Sequence, residues 1–286
     1  MNNRLRTLGS CGGGPRRSGR EFRDVSADHM LLANMTQPEA EEALGRGTAV
    51  LVTGSIEQHG SHLPLGTDTF AALAIALRVG ERLEAPVLPL SPVGVAPYHL
   101  SWPGSLTISP STLASLMLDV CEGLAGAGVE RVVVVNWHEG NSTAIRMGAD
   151  QVQAKLPLRV IVAEAHIITN GLFPDEMEFT HAGSMETAAV RAHDPSLVRL
   201  DRLVEGDSVD RATEGHGLFR RRDVFPVMRD FREVATTGWY GTPDAVSEER
   251  AREIIDAVAE HIAGSVEEVW KSLVERAPEP DGGTQT

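Results

Sequence analysis

At 286 residues, 42% of them hydrophobic, the chain is long enough for one large domain or two small ones with an ordinary core. The balance of 26 basic against 40 acidic residues gives a formal charge of −14, which argues against a nucleic-acid or anionic-membrane surface. Two cysteines, Cys11 and Cys121, make neither a disulfide framework nor a zinc-spacing pattern, which fits a reducing cytoplasm. No stretch reaches the roughly 18 apolar residues that span a bilayer.

Residues 1–35 read as a flexible arm. They open with MNNRLRTLGSCGGGPRRSGREF, which is basic, rich in Gly, Arg and Ser, and without the apolar segment of a secretory signal. A helix is predicted over MTQPEAEEALGRG: Thr36 is the N-cap, Glu39 completes a capping box, Pro38 lies in the first turn, and Gly45 and Gly47 close it. TAVLVTGS is a short β-branched run, apolar on both faces as a central parallel strand should be. TFAALAIALRVGERL is a helix of small apolar residues, and APVLPLSPVGV is a strand entering a loop. SPSTLASLMLDVCEGLAGAG is a second capped helix that runs into VERVVVVNWHEGN, where Val132 to Val135 form the clearest strand. STAIRMGADQVQAKL predicts a helix and LRVIVAEAH a strand ending at His166. SMETAAVRAH is a short helix stopped before Asp194 and Pro195. Residues 200–245 read as irregular and charged. In the final helix Ile254, Ile255, Val258, Ile262, Val266, Val269, Trp270 and Leu273 recur at helical spacing, so one face packs on the sheet. Residues 276–286 read as a disordered tail.

Strands alternating with helices at this spacing imply a mainly parallel sheet covered on both faces, in a single domain over residues 36–275. In open α/β sheets, ligands bind beyond the carboxyl ends of the strands. Glu57 and His59 follow the first strand in that position, and His138 and Glu139 follow the valine run. Glu186 begins a helix after the segment carrying His181. Three segments therefore send carboxylates and imidazoles to one edge. Such groups without thiolate suit zinc or manganese, with iron next, and a bridging Asp suits a pair of ions. One histidine near a strand end is ordinarily a hydrogen-bonded structural residue. Several buried carboxylates on one edge, however, need a cation or protons to neutralise them.

Competing motifs fail. HEGNS lacks the second histidine of H-E-x-x-H, GLAGAG precedes its strand instead of following one, and neither G-x-S-x-G nor a phosphate-loop lysine occurs. Cys121 reads as core, His193 and His261 as structural, His166 as a cap or a site wall, and Arg220 to Arg222 as a solvated run.

The blocks GSIEQHGSHLPLGTD, WPGSLTIS, VVVVNWHEGN, HAGSMETA and GTPDAVSEERA occur in the order of the creatininase (creatinine amidohydrolase) family, which the chain resembles over nearly its whole ordered length. The resemblance implies a three-layer α/β/α fold, a homo-oligomer (often a hexamer) and two divalent ions at the sheet edge. It implies that Glu57 and His59 ligate different ions and that Asp68 bridges them. His138 and Glu186 become further ligands, His181 shuttles protons, and His62 stands behind the ligands. Creatininases proper have H-Y-E-N where this chain has His138-Glu139-Gly140-Asn141, so the ligand they take at the place of Gly140 is missing. An open second ion with room for a bulkier substrate is the expectation, with Glu139 facing away or assisting His181 in proton delivery.

The loop bearing Tyr98, His99, Ser101 and Trp102 offers aromatic and hydrogen-bonding groups to a small-molecule amide substrate. The function expected is metal-dependent hydrolysis, or reversible formation, of a non-peptide or cyclic amide in the cytoplasm, without nucleic-acid or membrane partners. Peptide trimming in cofactor maturation and a catalytically silent binding or scaffold role are the alternatives.

Overall fold

The computed structural model describes residues 28–276. β1 (Thr48–Thr53), β2 (Val87–Ser91), β3 (Arg131–Asn136) and β4 (Arg159–Glu164) form one sheet in the order β2-β1-β3-β4, and every pairing is parallel. β1 and β3 lie in the middle, and all six residues of each are buried. Alternate side chains of these central strands feed opposite layers. Val50, Val52, Val133 and Val135 pack against α2 (Thr67–Leu83), α6 (Ser184–His193) and α8 (Glu248–Glu275). Ala49, Leu51, Val132 and Val134 pack against α3 (Pro110–Gly126) and α4 (Ser142–Lys155). This is the three-layer α/β/α fold.

Local chemistry sets the helix starts. Before α1 (Gln37–Leu44) the Glu39 carboxylate accepts the Thr36 backbone N–H at 2.7 Å, completing the capping box. Ser109 caps α3 by accepting from Thr112 N at 3.1 Å, and Ser247 caps α8 by accepting from Arg250 N at 3.2 Å. Cys121 lies inside the α3 layer, where burial pushes its thiol up to about 11. The last turns of α8 overrun the sheet: Ile254 to Val266 line the core, but Val269 and Leu273 are exposed.

Three expectations change. The domain begins before Thr36: Leu31 bridges Val87 on the outer edge of β2, and Met30 is buried beside α2. An edge strand with open backbone groups gains from such a cover. The rest of the expected arm, residues 1–27, and the tail from 277 lie outside the described residues. The strand expected to end at His166 stops at Glu164, and His166 lies in the first turn of a further helix, α5 (Ala165–Leu172). The segment read as irregular contains α7 (Val209–Phe219), whose Ala212 joins Phe231, Val234, Ala235 and Tyr240 in a small separate core.

Candidate metal centre

Every candidate ligand stands at the carboxyl end of the sheet. Glu57 and His59 lie on the loop leaving β1, His138 leaves β3, Asp68 sits in the first turn of α2 and Glu186 in the first turn of α6. Carboxylates in a first turn face the positive end of the helix dipole, which favours their charge. The loops are tied together behind them. Asn141 donates to the Gly54 carbonyl at 2.9 Å and accepts the Val95 N–H at 2.9 Å. Asn136 donates to the His138 carbonyl at 2.9 Å and to Glu164 at 2.7 Å.

The side chains converge without closing on one another. His59 Nε2 lies 3.4 Å from Asp68 Oδ1 and 3.6 Å from Glu186 Oε2. On the other side of Asp68, Oδ2 lies 3.2 Å from His138 Nδ1, and Glu57 Oε2 is 3.4 Å from His138 Nε2. His59 Nε2 and Asp68 Oδ2 are buried and make no hydrogen bond. A buried polar atom left alone costs about 1–3 kcal/mol, so these orphans need an explanation. Ligands at about 2.0–2.1 Å from a tetrahedral zinc stand about 3.3 Å from one another. The separations seen match that spacing. Glu57, Asp68 and His138 form one set of donors, and His59, His181 and Glu186 form another. Asp68 reaches into both through its two oxygens. A third set, Glu57, His99 and His181, overlaps the first two.

The groups hold one another in charged pairs. Burial opposes charge on His138, but Glu57 and Asp68 outweigh it and push the imidazole up to about 9. Burial likewise opposes charge on His59, and Asp68 and Glu186 overcome it to raise that ring. Asp68 is held well below the carboxylate range: His59 and His138 outweigh its burial. Glu57 goes the other way, lifted to about 7 by burial. These are protons that a divalent cation would take the place of. His181 and His99 are neutral at pH 7, because burial first and neighbouring imidazoles second depress both, His181 to about 4.

A family model described as creatininase, creatinine amidohydrolase, matches residues 33–266. The chain belongs to the creatininase family. Creatinine amidohydrolase from Pseudomonas putida is 27% identical over 261 residues, covering 84% of this chain and 96% of that protein. Mycofactocin precursor peptide peptidase from Mycobacterium ulcerans is 28% identical over 240 residues, covering 80% and 85%. Among solved structures, a manganese creatininase superposes with a TM-score of 0.69 at 25% identity, covering 84% of this chain and 98% of its own. A mutant creatininase of Zn-Zn type gives 0.67 at 25% identity over the same shares. The relatives are hydrolases, and the three-layer fold with its parallel sheet is that of the creatininase family.

Against that frame several site residues stand elsewhere than the sequence suggests. Gly140 leaves no open space: a Cβ there would meet the Val95 carbonyl at 2.3 Å, His138 Nε2 at 2.5 Å and the Tyr98 hydroxyl at 2.6 Å. The expected room for a bulkier substrate is absent at that position, because backbone and the ligand ring fill it. Glu139 does not face away. It lines the mouth of the cavity, where Arg220 grips its Oε2 through Nε at 3.0 Å and Nη2 at 2.8 Å. Burial opposes charge on Glu139, and Arg220 outweighs it, so the carboxyl is held ionised. An ionised, engaged carboxylate is a poor proton donor. Arg220 therefore does not belong to a solvated run; its guanidinium also stacks over Phe179 at 3.8 Å, whereas Arg221 pairs with exposed Asp223.

His99 is inside the cluster, its Nε2 3.3 Å from Glu57 Oε1. Ser101 and Trp102 are not brought to the cavity: Ser101 donates to Asp230 at 3.1 Å, and Trp102 lies under Arg232 at 4.4 Å. His62 donates to or accepts at no ligand; its Nε2 bonds the Ala182 carbonyl at 2.8 Å, and the Ala182 N–H in turn reaches Glu186. His166 forms a wall of the cavity; neither ring nitrogen is hydrogen-bonded, and Nδ1 lies 3.8 Å from Glu164 Oε2. His216, Phe231 and Arg220 were not visible as site residues, since neither the short α7 that carries His216 nor the irregular segments that carry Arg220 and Phe231 give a strong periodic signal. The cavity they enclose with the cluster is about 50 Å³, space for a few waters.

Proposed function

We propose that this chain is a metal-dependent amidohydrolase that cleaves, or reversibly forms, a C–N bond in a small non-peptide or cyclic amide. It would hold two divalent ions, zinc or manganese, on Glu57 and His138 and on His59 and Glu186, with Asp68 serving both. The observation that carries this reading is the pair of orphaned buried donors, His59 Nε2 and Asp68 Oδ2, spaced as ligands and not as hydrogen-bond partners. Divalent ions, when bound, supply Lewis acidity that polarises an amide carbonyl and makes hydroxide available near neutral pH. Neutral His181 can take the proton released by the attacking water and return it to the leaving nitrogen, a role its depressed basicity permits at pH 7. The Glu139–Arg220 pair and Phe231 border the cavity and exclude bulk water from it. Creatinine is not the substrate we expect, because Gly140 replaces a liganding side chain and cannot be supplemented from within its own backbone position.

Peptide hydrolysis is the second reading. It is favoured by the similarity to mycofactocin precursor peptide peptidases over four-fifths of the chain. Copies of the chain are expected to associate, in up to a hexamer, around a site that each completes alone; sedimentation measures this. No described helix is long and apolar enough to cross a membrane. The deciding experiment loads the protein with zinc or manganese and assays creatinine, lactams, formamides and short peptides side by side. Chelator-sensitive turnover of a non-peptide amide supports the proposal. Turnover confined to peptides, or a protein that takes up no metal, sinks it.

A further inference from the structure

Gln58 lies between two of the candidate ligands and has no part in the chemistry above. Its side chain is buried, and Oε1 accepts the backbone N–H of Gly60 at 3.2 Å. That contact orients the amide, since the reversed group would set its NH2 against another donor. The NH2 therefore faces both rings, with Nε2 3.1 Å from His99 Nδ1 and 3.0 Å from His181 Nε2. An amide NH2 only donates. His99 Nδ1 must then be the bare, accepting nitrogen, and the ring proton sits on Nε2, 3.3 Å from Glu57 Oε1.

We propose that Gln58 is a positioning residue of the site: its amide fixes the tautomer of His99, which makes that histidine a hydrogen-bond donor to Glu57 and withdraws it from the ligand set. A ligating Nε2 has to be bare, and in a neutral imidazole this moves the proton to Nδ1. There it would confront the Gln58 NH2, two buried donors with no acceptor between them. Of the three overlapping donor sets, the one containing His99 is thus a hydrogen-bond array, which leaves for ions Glu57 and His138 on one side and His59 and Glu186 on the other, with Asp68 between them. His181 is treated differently by the same residue. Its Nε2 also meets the Gln58 backbone carbonyl at 2.9 Å, so this nitrogen has a protein partner with or without a proton, and only Nδ1 is left to the cavity.

The inference deepens the metal-hydrolase reading, but its first test needs no turnover. In the zinc-loaded full chain labelled with ¹⁵N-histidine, and assigned with His99→Asn, the His99 ring should show a protonated Nε2 and a bare Nδ1. The reverse pattern, or a zinc-bound Nε2, overturns the proposal even if the enzyme is active. Gln58→Leu keeps the volume and removes the donor. It should release the His99 tautomer and lower kcat about 10- to 100-fold, the range for groups that orient ligands, with KM and zinc content little changed. An unchanged ring pattern and unchanged kcat in that variant also overturn it. If Gln58→Leu does not fold, the wild-type spectrum decides alone. A protein that hydrolyses nothing on the panel yet shows the expected tautomer retires the functional reading and leaves this one standing.

Discussion

Val50, Leu51 and Val132 to Val135, the strand residues that lead into the ligand loops, have no solvent exposure, whereas Val224 and Val227, in the segment between the cavity-lining Arg220 and Phe231, are 72% and 83% exposed. The two regions meet at the cavity but are held differently. The ligand side is fixed by a central sheet, two helix N-termini and the asparagine ties behind the loops. The cover rests on α7, a small core around Phe231 and Tyr240, and the Arg220–Glu139 pair. A preorganised cage thus faces a wall made of contacts that are each cheap to change. In such a molecule the chemistry is expected to be robust and the substrate to be set by the cover.

The largest effect that sharpens this contrast is expected from Asp68→Ala. It should remove both ions and reduce turnover more than about 100-fold, beyond the range of outer-shell partners. Elemental analysis of the purified variant checks it, and a variant that retains both ions would deny Asp68 its bridging place. His181→Ala should keep its metal and lose about 10² to 10⁴ in kcat, as expected for a general acid–base group. Steady-state kinetics beside metal content reads this; loss of an ion together with turnover would make His181 a ligand.

Gly140→Ala tests the cage without removing a ligand. Its methyl would overlap the Val95 carbonyl and His138, so a loss of about 1–3 kcal/mol in denaturant unfolding, with weaker metal retention, is expected. A silent alanine there would mean the cage is as forgiving as the cover. Glu139→Gln probes the cover itself. The pair is half-exposed on the glutamate side, 45%, and such pairs contribute about 0–1 kcal/mol, so thermal stability should barely move. Substrate preference across the amide panel should change instead. A large stability loss with unchanged preference would place Glu139 on the structural side of the comparison.

The same divide governs what the sequence revealed. Val132 to Val135, the Thr36 and Ser109 caps and the α8 stripe announce themselves through period and capping chemistry, and the residues at strand ends follow from the sheet. Glu57, His59, Asp68, His138, His181 and Glu186 were therefore readable as one group, and the structure brings them together. The cover has no such grammar. α7 is short, only Ala212 of it is buried, and its contacts come from Phe231 and Tyr240 farther along the chain. Ser101 and Trp102 looked like substrate contacts because a loop sequence gives residue types without direction. Gly140 misled for the opposite reason. A missing side chain reads as empty space until the Val95 carbonyl is seen to fill it.

The asparagine ties have a consequence for how this chain could change over generations. Asn136 and Asn141 hold the Gly54, Val95 and His138 backbone and not a ligand side chain, and a Cβ at Gly94 would stand 2.5 Å from the Gly54 carbonyl and 2.8 Å from the Asn141 side chain. A saturation library scored for metal retention should therefore show two rings of intolerance, one at the ligands and one a layer behind, with a permissive rim beyond them. New specificities would arise by drift in that rim, while the packed glycine–asparagine layer preserves the inherited chemistry beneath it.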